Sequence, residues 1–149
     1  MEAKSNNNLF FTCSLIEYIG RDVKRTRKEV AEALGKDRIR RIYEYADVFH
    51  CEPIEKVAAE FIEESGITEG SFDNVGECRY RVPDYWDIGE VYERLIEDVS
   101  DDREESLVER LIEVYTSWID DVISNYNSDF YYQSRDYIRE CYLEDKICA

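Results

Sequence analysis

The stretch TRKEVAEALGKDRIRRIYEYADVF, residues 26–49, reads as two helices broken at a glycine. Thr26 and Glu29 have the spacing of a capping box, in which each side chain satisfies a backbone N–H that a helix start leaves unpaired. Val30, Ala31, Ala33 and Leu34 follow as an apolar run, and Gly35 stands where a left-handed cap would close the first helix. Asp37 can cap the second. Ile39, Ile42, Tyr43, Ala46 and Phe49 then recur at steps of three and four, one face of a helix.

Outward from this pair the same grammar holds. Met1 to Asn8 is polar. Leu9 to Ile19 carries Leu9, Phe10, Phe11, Cys13, Leu15, Ile16 and Ile19, too many apolar residues for one stripe, so it reads as a central buried helix ended by Gly20. Pro53 suits the first turn of the next helix, whose apolar face is Ile54, Val57, Ala58, Phe61 and Ile62, and Gly66 ends it. Residues 66–83, GITEGSFDNVGECRYRVP, read as an irregular loop or a short hairpin. Asp84 or Asp87 starts a helix with Ile88, Val91, Tyr92, Leu95, Ile96 and Val99 inside. A long helix is expected from Glu105 to Tyr126. The segment NSDFYYQS breaks the pattern, and Ser134 caps a last helix ending near Asp145. The expected fold is all-α, with about seven helices in one compact bundle or two small helical subdomains. On the second reading, residues 1–66 are an N-terminal helical part, 67–83 a linker or hairpin, and 84–149 an acidic helical part.

Charge separates these parts. The chain of 149 residues has a net charge of −16, but residues 1–51 carry +2 and residues 52–149 carry −18. An acidic surface repels nucleic acid and anionic membrane and attracts basic proteins. No run of apolar residues is long enough to span a bilayer, and the polar start has no leader pattern. The five cysteines are odd in number and without a CxxC pair, which fits reduced thiols in a cytoplasmic protein. His50 and Cys51 are adjacent but Cys78 is distant, so no metal site is expected. No phosphate loop, nucleophile elbow or zinc-hydrolase motif occurs. The expectation is therefore a protein without cofactor or catalytic residues, Cys51 beside His50 being the single candidate nucleophile.

Two constellations point to partners. Glu90, Glu93, Glu97 and Asp101 share one arc of about 80° at 100° per residue. Glu105, Glu109, Glu113 and Asp120 form a second row, roughly 22 Å long at 1.5 Å per residue. The rows are sparser than duplex DNA, which has a charge every ~1.7 Å, yet together they could imitate part of a phosphate track and dock a basic, nucleic-acid-binding protein. Phe130, Tyr131 and Tyr132 add aromatic area of the kind found at interfaces. The alternative for both is a solvated face and a closed bundle end. Helix 105–126 is apolar over nearly half its circumference. It is either packed on two sides or paired with a second copy as a homodimer. The 26–49 pair also resembles a helix-turn-helix, in which Arg38, Arg40 and Arg41 would face DNA with Lys24, Arg25, Arg27, Lys28 and Lys36 on phosphates. Lys36, Arg41 and Glu44 fall where that motif wants apolar residues, so direct DNA binding is not the leading expectation.

The phrases NNLFFTCSLIEYIG, IYEYADVFHCEPIEKVAAEFI and VPDYWDIGEVYERLIEDV resemble a group of uncharacterised small acidic helical proteins of gut Firmicutes, over most of the chain from Asn7 to about Cys141. The resemblance implies a bacterial cytoplasmic protein of a mobile-element or defence-associated setting, where acidic antitoxins, immunity proteins and anti-CRISPR proteins occur. It assigns no residue a role.

Overall fold

The structure, a computed structural model, describes residues 2–100 and 104–148, the side chains of residues 2–6, 104 and 105 excepted. Among the described residues are eight α-helices, one 3-10 turn and no strand, so the chain is all-α. The helices are α1 (Glu2–Val23), α2 (Arg27–Glu44), α3 (Ala46–Phe49), α4 (Ile54–Ser65), α5 (Tyr85–Val99), α6 (Glu104–Tyr115), α7 (Ile119–Ile123) and α8 (Arg135–Glu144).

The bundle is wrapped around α1. Every residue from Leu9 to Gly20 is buried except the partly exposed Phe10 and Tyr18, as an all-round apolar helix requires. Its broadest contact is with α5, followed by α2, with α3 and α4 also touching it. One hydrophobic core thus runs from Leu9 through Ile42 and Phe61 to Ile96, Leu111 and Ile138. The helix begins earlier than its apolar run and passes straight through Gly20, which the sequence reading took as its end. A β-carbon on Gly20 would lie 2.5 Å from Cδ of Arg27; the glycine makes room for that side chain rather than ending a helix.

The capping signals do act where the sequence put them. Thr26 and Glu29 form the reciprocal capping box of α2. Asp84 and Asp87 together form that of α5. Ser134 accepts the Tyr137 N–H at the start of α8, and Gly66 closes α4 in the left-handed conformation. Gly35 has φ +80° and ψ 166°, a backbone state open to glycine, and breaks α2 into two segments with a single-residue joint. A helix-turn-helix needs a turn of three or four residues, so this pair is a kinked helix instead.

The long helix expected over 105–126 is two, α6 and α7. At the junction Thr116 Oγ1 donates to Ile112 O (2.7 Å) and Ser117 Oγ to Val114 O (2.7 Å); hydroxyls that bond the preceding turn's carbonyls compete with the helix ladder. The apolar excess of this segment is absorbed within the chain. α6 packs against both α2 and α5, and Leu107, Val108, Leu111, Val114 and Tyr115 are buried. The face read as a homodimer seam is therefore largely internal.

Residues 66–83 are irregular and tightly strapped down. Gly70 N donates to Val23 O (2.8 Å) and Phe72 N to Lys24 O (2.9 Å). Arg25 grips Thr68 at both its carbonyl and hydroxyl (2.9 Å each). Asn127 accepts from Arg79 N (2.7 Å) and donates to Glu77 O (3.2 Å).

The α1–α5 crossing is close enough to forbid a side chain at Gly89. A β-carbon there would lie 2.1 Å from Ser14 Oγ and 2.9 Å from Ser14 Cα and N, which belong to the backbone of α1 and cannot move aside. Helix propensity alone favours alanine over glycine by about 0.8–1.0 kcal/mol, but overpacking costs about 1–3 kcal/mol. Gly89→Ala is accordingly expected to lower the melting temperature by several degrees. A thermal melt showing a rise would mean that the two helices do not pack at this distance.

Candidate functional site

A cleft of about 1140 Å³ lies on the acidic half. One wall is the outer face of α5, with Asp87, Glu90, Val91, Arg94 and Leu95. A second is the extended segment from Tyr80 to Asp84. The third is the stretch from Tyr126 to Gln133, and Arg135 and Ile138 of α8 close the end. The apolar floor is Pro83, Val91, Leu95, Tyr126 and Ile138. On the rim Tyr132 is 84% exposed and Tyr80 66% exposed, with Asp84, Asp87 and Asp129 also exposed beside them. Arg94 is paired with Glu90 (3.1 Å), and Arg135 with Asp98 (2.9 Å) and Glu97 (3.0 Å).

Behind the floor lies a charged cluster that holds it in place. Arg27 donates from Nε to Glu17 Oε1 and from Nη2 to Oε2, both at 2.9 Å, and both side chains are fully buried. Glu17 Oε2 also accepts from Arg21 Nε (2.8 Å) and from the hydroxyl of Tyr126. Arg21 reaches on to Pro83 O (2.7 Å), with its guanidinium over the Tyr126 ring. Arg27 further donates to Arg25 O (2.9 Å) and Asn74 Oδ1 (3.1 Å), and Asn74 donates to Ser124 O (2.9 Å). Burial pushes the Glu17 carboxyl up, but Arg27 and Arg21 outweigh it and bring it down to about 2. Pro83 and Tyr126, both lining the cleft, are thus fixed through α1.

The acidic rows fare differently from the sequence expectation. Glu93 is 8% exposed and Asp120 1% exposed, so neither can meet a partner. Asp120 leaves its row because the break before α7 turns it inward. There it accepts from Tyr92 OH (2.5 Å) and from the Lys28 N–H at the start of α2 (3.2 Å), a donor the helix itself leaves unpaired. Glu93 faces the α5–α8 side, beside Glu97. Glu90, Glu97, Glu109 and Glu113 remain at or near the surface, but each has a cation: Arg94, Arg135, Lys36 and Arg110. Asp101 and the side chain of Glu105 lie outside the described residues. Phe130 is buried against the core, Tyr131 is half-buried, and Tyr132 stands free. The cleft brings together Glu90, Tyr131 and Tyr132 of the expected contact set.

Two of the three arginines read as base contacts are paired within the bundle: Arg38 (3.3 Å) and Arg41 (2.5 Å) share the carboxylate of Glu64 on α4. Arg40 is half-buried, and Arg27, read as a phosphate contact, is the buried cation of the core. His50 packs edge-on against Phe11 and Trp86; Cys51 donates its thiol to Asp47 O (3.4 Å). Neither borders the cleft. No protein-family model matches the chain, and no curated protein or solved structure is similar to it.

What sequence reasoning missed is the cluster around Glu17. Its signal was present: a lone carboxylate in the otherwise apolar LFFTCSLIEYIG must be buried with the helix, and a buried charge demands a partner.

Two results should follow. Removing one member of a buried pair leaves an unpaired charge and costs about 3–5 kcal/mol. Arg27→Met should therefore unfold at much lower denaturant than the wild type, and Glu17→Leu/Arg27→Met should recover part of the loss. The second concerns pH. Burial lifts Asp120 to about 6 and, with Glu97 adjoining, Glu93 to about 8. Both folded values stand above the ordinary ones, so the stability they supply is full below about pH 4 and is lost as pH rises through 6 and 8. Glu17 has the opposite sign, its contribution disappearing as pH falls through about 2. The melting temperature should fall between about pH 5 and 9, and Glu93→Gln should flatten the upper part of that fall. An unchanged slope in the variant would place the titration elsewhere.

Proposed function

We propose that this chain is a non-enzymatic interaction protein that binds and inhibits a basic, nucleic-acid-handling protein, in the manner of an antitoxin, immunity or anti-CRISPR protein. The observation that carries this is the cleft: two tyrosines are held out in solvent on its rim, with carboxylates interleaved, on a chain of net charge −16. Tyrosine and carboxylate side by side suit lysine and arginine, since the ring face attracts a cation and the carboxylate pairs with it. Charge attraction raises the encounter rate, and aromatic anchors set the residence time. The composition, and the resemblance to acidic proteins of a defence-associated setting, agree with it. The regular double row of carboxylates is not part of this reading, because two of its members are buried and four are paired.

The test is capture of the partner from the native host, followed by kinetics with the purified pair. The captured protein should be basic, and wild-type chain should displace nucleic acid from it in a gel-shift assay. Association should slow by about tenfold or more from low to high salt. Tyr80→Ala/Tyr132→Ala should speed dissociation, and Asp129→Lys should slow association. Wild-type rates in both variants, or an acidic captured protein, would sink the proposal.

A further inference from the structure

Helix α8 ends in a reversing turn that lays one cysteine on another. Lys146 N donates to Cys141 O (3.2 Å) and Asp145 N to Tyr142 O (3.3 Å). Asp145 takes the left-handed conformation at φ 60°, ψ 32° without being glycine. On a continuing helix residues 141 and 148 would stand about 10 Å apart along the axis; the turn brings them together. The N–H of Cys148 donates to the sulfur of Cys141 (3.2 Å), which sets the two cysteines side by side. Tyr137 OH clasps Cys148 O (2.7 Å) and holds the returning segment in place. Cys141 is fully buried, Cys148 half-buried.

We propose that Cys141 and Cys148 form a thiol–disulfide site that reacts with small disulfides of the glutathione class and closes into an intrachain bridge. Cys148, the accessible member, loses its proton to water and attacks one sulfur of the oxidised glutathione. The S–S bond of glutathione breaks, one glutathione leaves as thiolate and takes up a proton, and a mixed disulfide remains on Cys148. Cys141 then gives up its proton and attacks the Cys148 sulfur, expelling the second glutathione. Two protein thiols are oxidised and one glutathione disulfide is reduced to two thiols. The buried sulfur is the resolving one because it already lies against the Cys148 backbone and is shielded from solvent. Burial and the neighbouring Cys141 push the Cys148 thiol up, so the first step quickens as pH rises. The bridge would fix the turn onto α8, the helix that supplies Arg135 and Ile138 to the cleft.

The experiment incubates the full chain with oxidised glutathione, alkylates the remaining thiols and maps the peptides by mass spectrometry. Cleavage at Lys146 separates the two cysteines, so the bridge is read as two joined peptides. In the wild type the 141–148 bridge should accumulate without a lasting adduct on Cys148. The exposed Cys51 serves as an internal control that holds a single glutathione. In Cys141→Ser the adduct on Cys148 should persist, and in Cys148→Ser Cys141 should stay a free thiol. Oxidation should also raise the melting temperature of the wild type and leave that of Cys148→Ser unmoved. A lasting adduct on wild-type Cys148 beside a free Cys141, or an unreacted Cys148 when Cys51 is saturated, would overturn the proposal.

Discussion

The ion pair between Glu17 and Arg27 is the constraint on which the remaining structure turns. Taking a carboxylate and a guanidinium out of water costs several kcal/mol per ion, and their attraction returns this only when geometry is good and every remaining lone pair is used. Here the pairing is two-pronged, and Oε2 of Glu17 takes two further donors, from Arg21 and Tyr126. These partners come from distant parts of the chain: α1, the first turn of α2, and the segment after α7, with Asn74 of the loop bonded to the outer side of Arg27. An apolar core of the same volume would tolerate small slips among these segments. A set of four directed hydrogen bonds on one carboxylate does not, so the cluster fixes their register. Gly20 follows from it, since the Arg27 side chain passes where a β-carbon would stand.

The cluster holds two guanidiniums against one carboxylate, an excess that needs an answer inside a bundle. Arg21 lies at the edge, its side chain 17% exposed, and so is partly solvated. Asp120 is near enough for the Arg27 charge to favour its ionised form. Asp120 in turn takes the Lys28 N–H in the first turn of α2 and the hydroxyl of Tyr92, which stacks on Tyr115 at 4.1 Å. Two sets of buried polar groups thus lie in the core, one bonded to Glu17 and one to Asp120. Glu97 Oε2 is the contrasting case: it is buried with no N–H or O–H donor among the described residues. Burial and the neighbouring Glu97 both push the Glu93 carboxyl up beside it.

The helices and their caps were legible in the sequence because their signals are local. Thr26 with Glu29, Asp84 with Asp87, Ser134 and Gly66 each act on backbone groups within one turn. The direction in which charged residues point was not legible. Helical periodicity placed Glu93 and Asp120 on outward arcs, but an arc has meaning only while the helix continues and only relative to the neighbours it meets. Asp120 changed face when two hydroxyls interrupted the helix before it, and Glu93 was covered on the side where Arg135 of α8 reaches α5. Arg27 was read as a surface cation because it sits in a basic run. Its fate was decided ten residues earlier by Glu17, and no spacing rule links the two. Of the cleft, Glu90, Tyr131 and Tyr132 stood out by type, whereas Tyr80 and Asp129 did not, and its walls depend on α5, the Tyr80–Asp84 segment and α8 meeting in space.

Burial and pairing also change what the net charge means for recognition. Glu90, Glu97, Glu109 and Glu113 of α5 and α6 are tied to Arg94, Arg135, Lys36 and Arg110, and an exposed pair presents a dipole rather than a bare charge. A basic partner arriving there must displace a cation already in place, and the exchange gains little. Around the cleft the balance differs. Asp84 and Asp87 spend their oxygens on backbone N–H groups of α5, which leaves their negative charge unneutralised by any cation among the described residues, and the Asp129 carboxylate has no pairing there either. Which carboxylates stand without a counterion is therefore set by the fold, not by where acids are most numerous in the sequence, and Arg81 is an exposed cation on the same wall of the cleft.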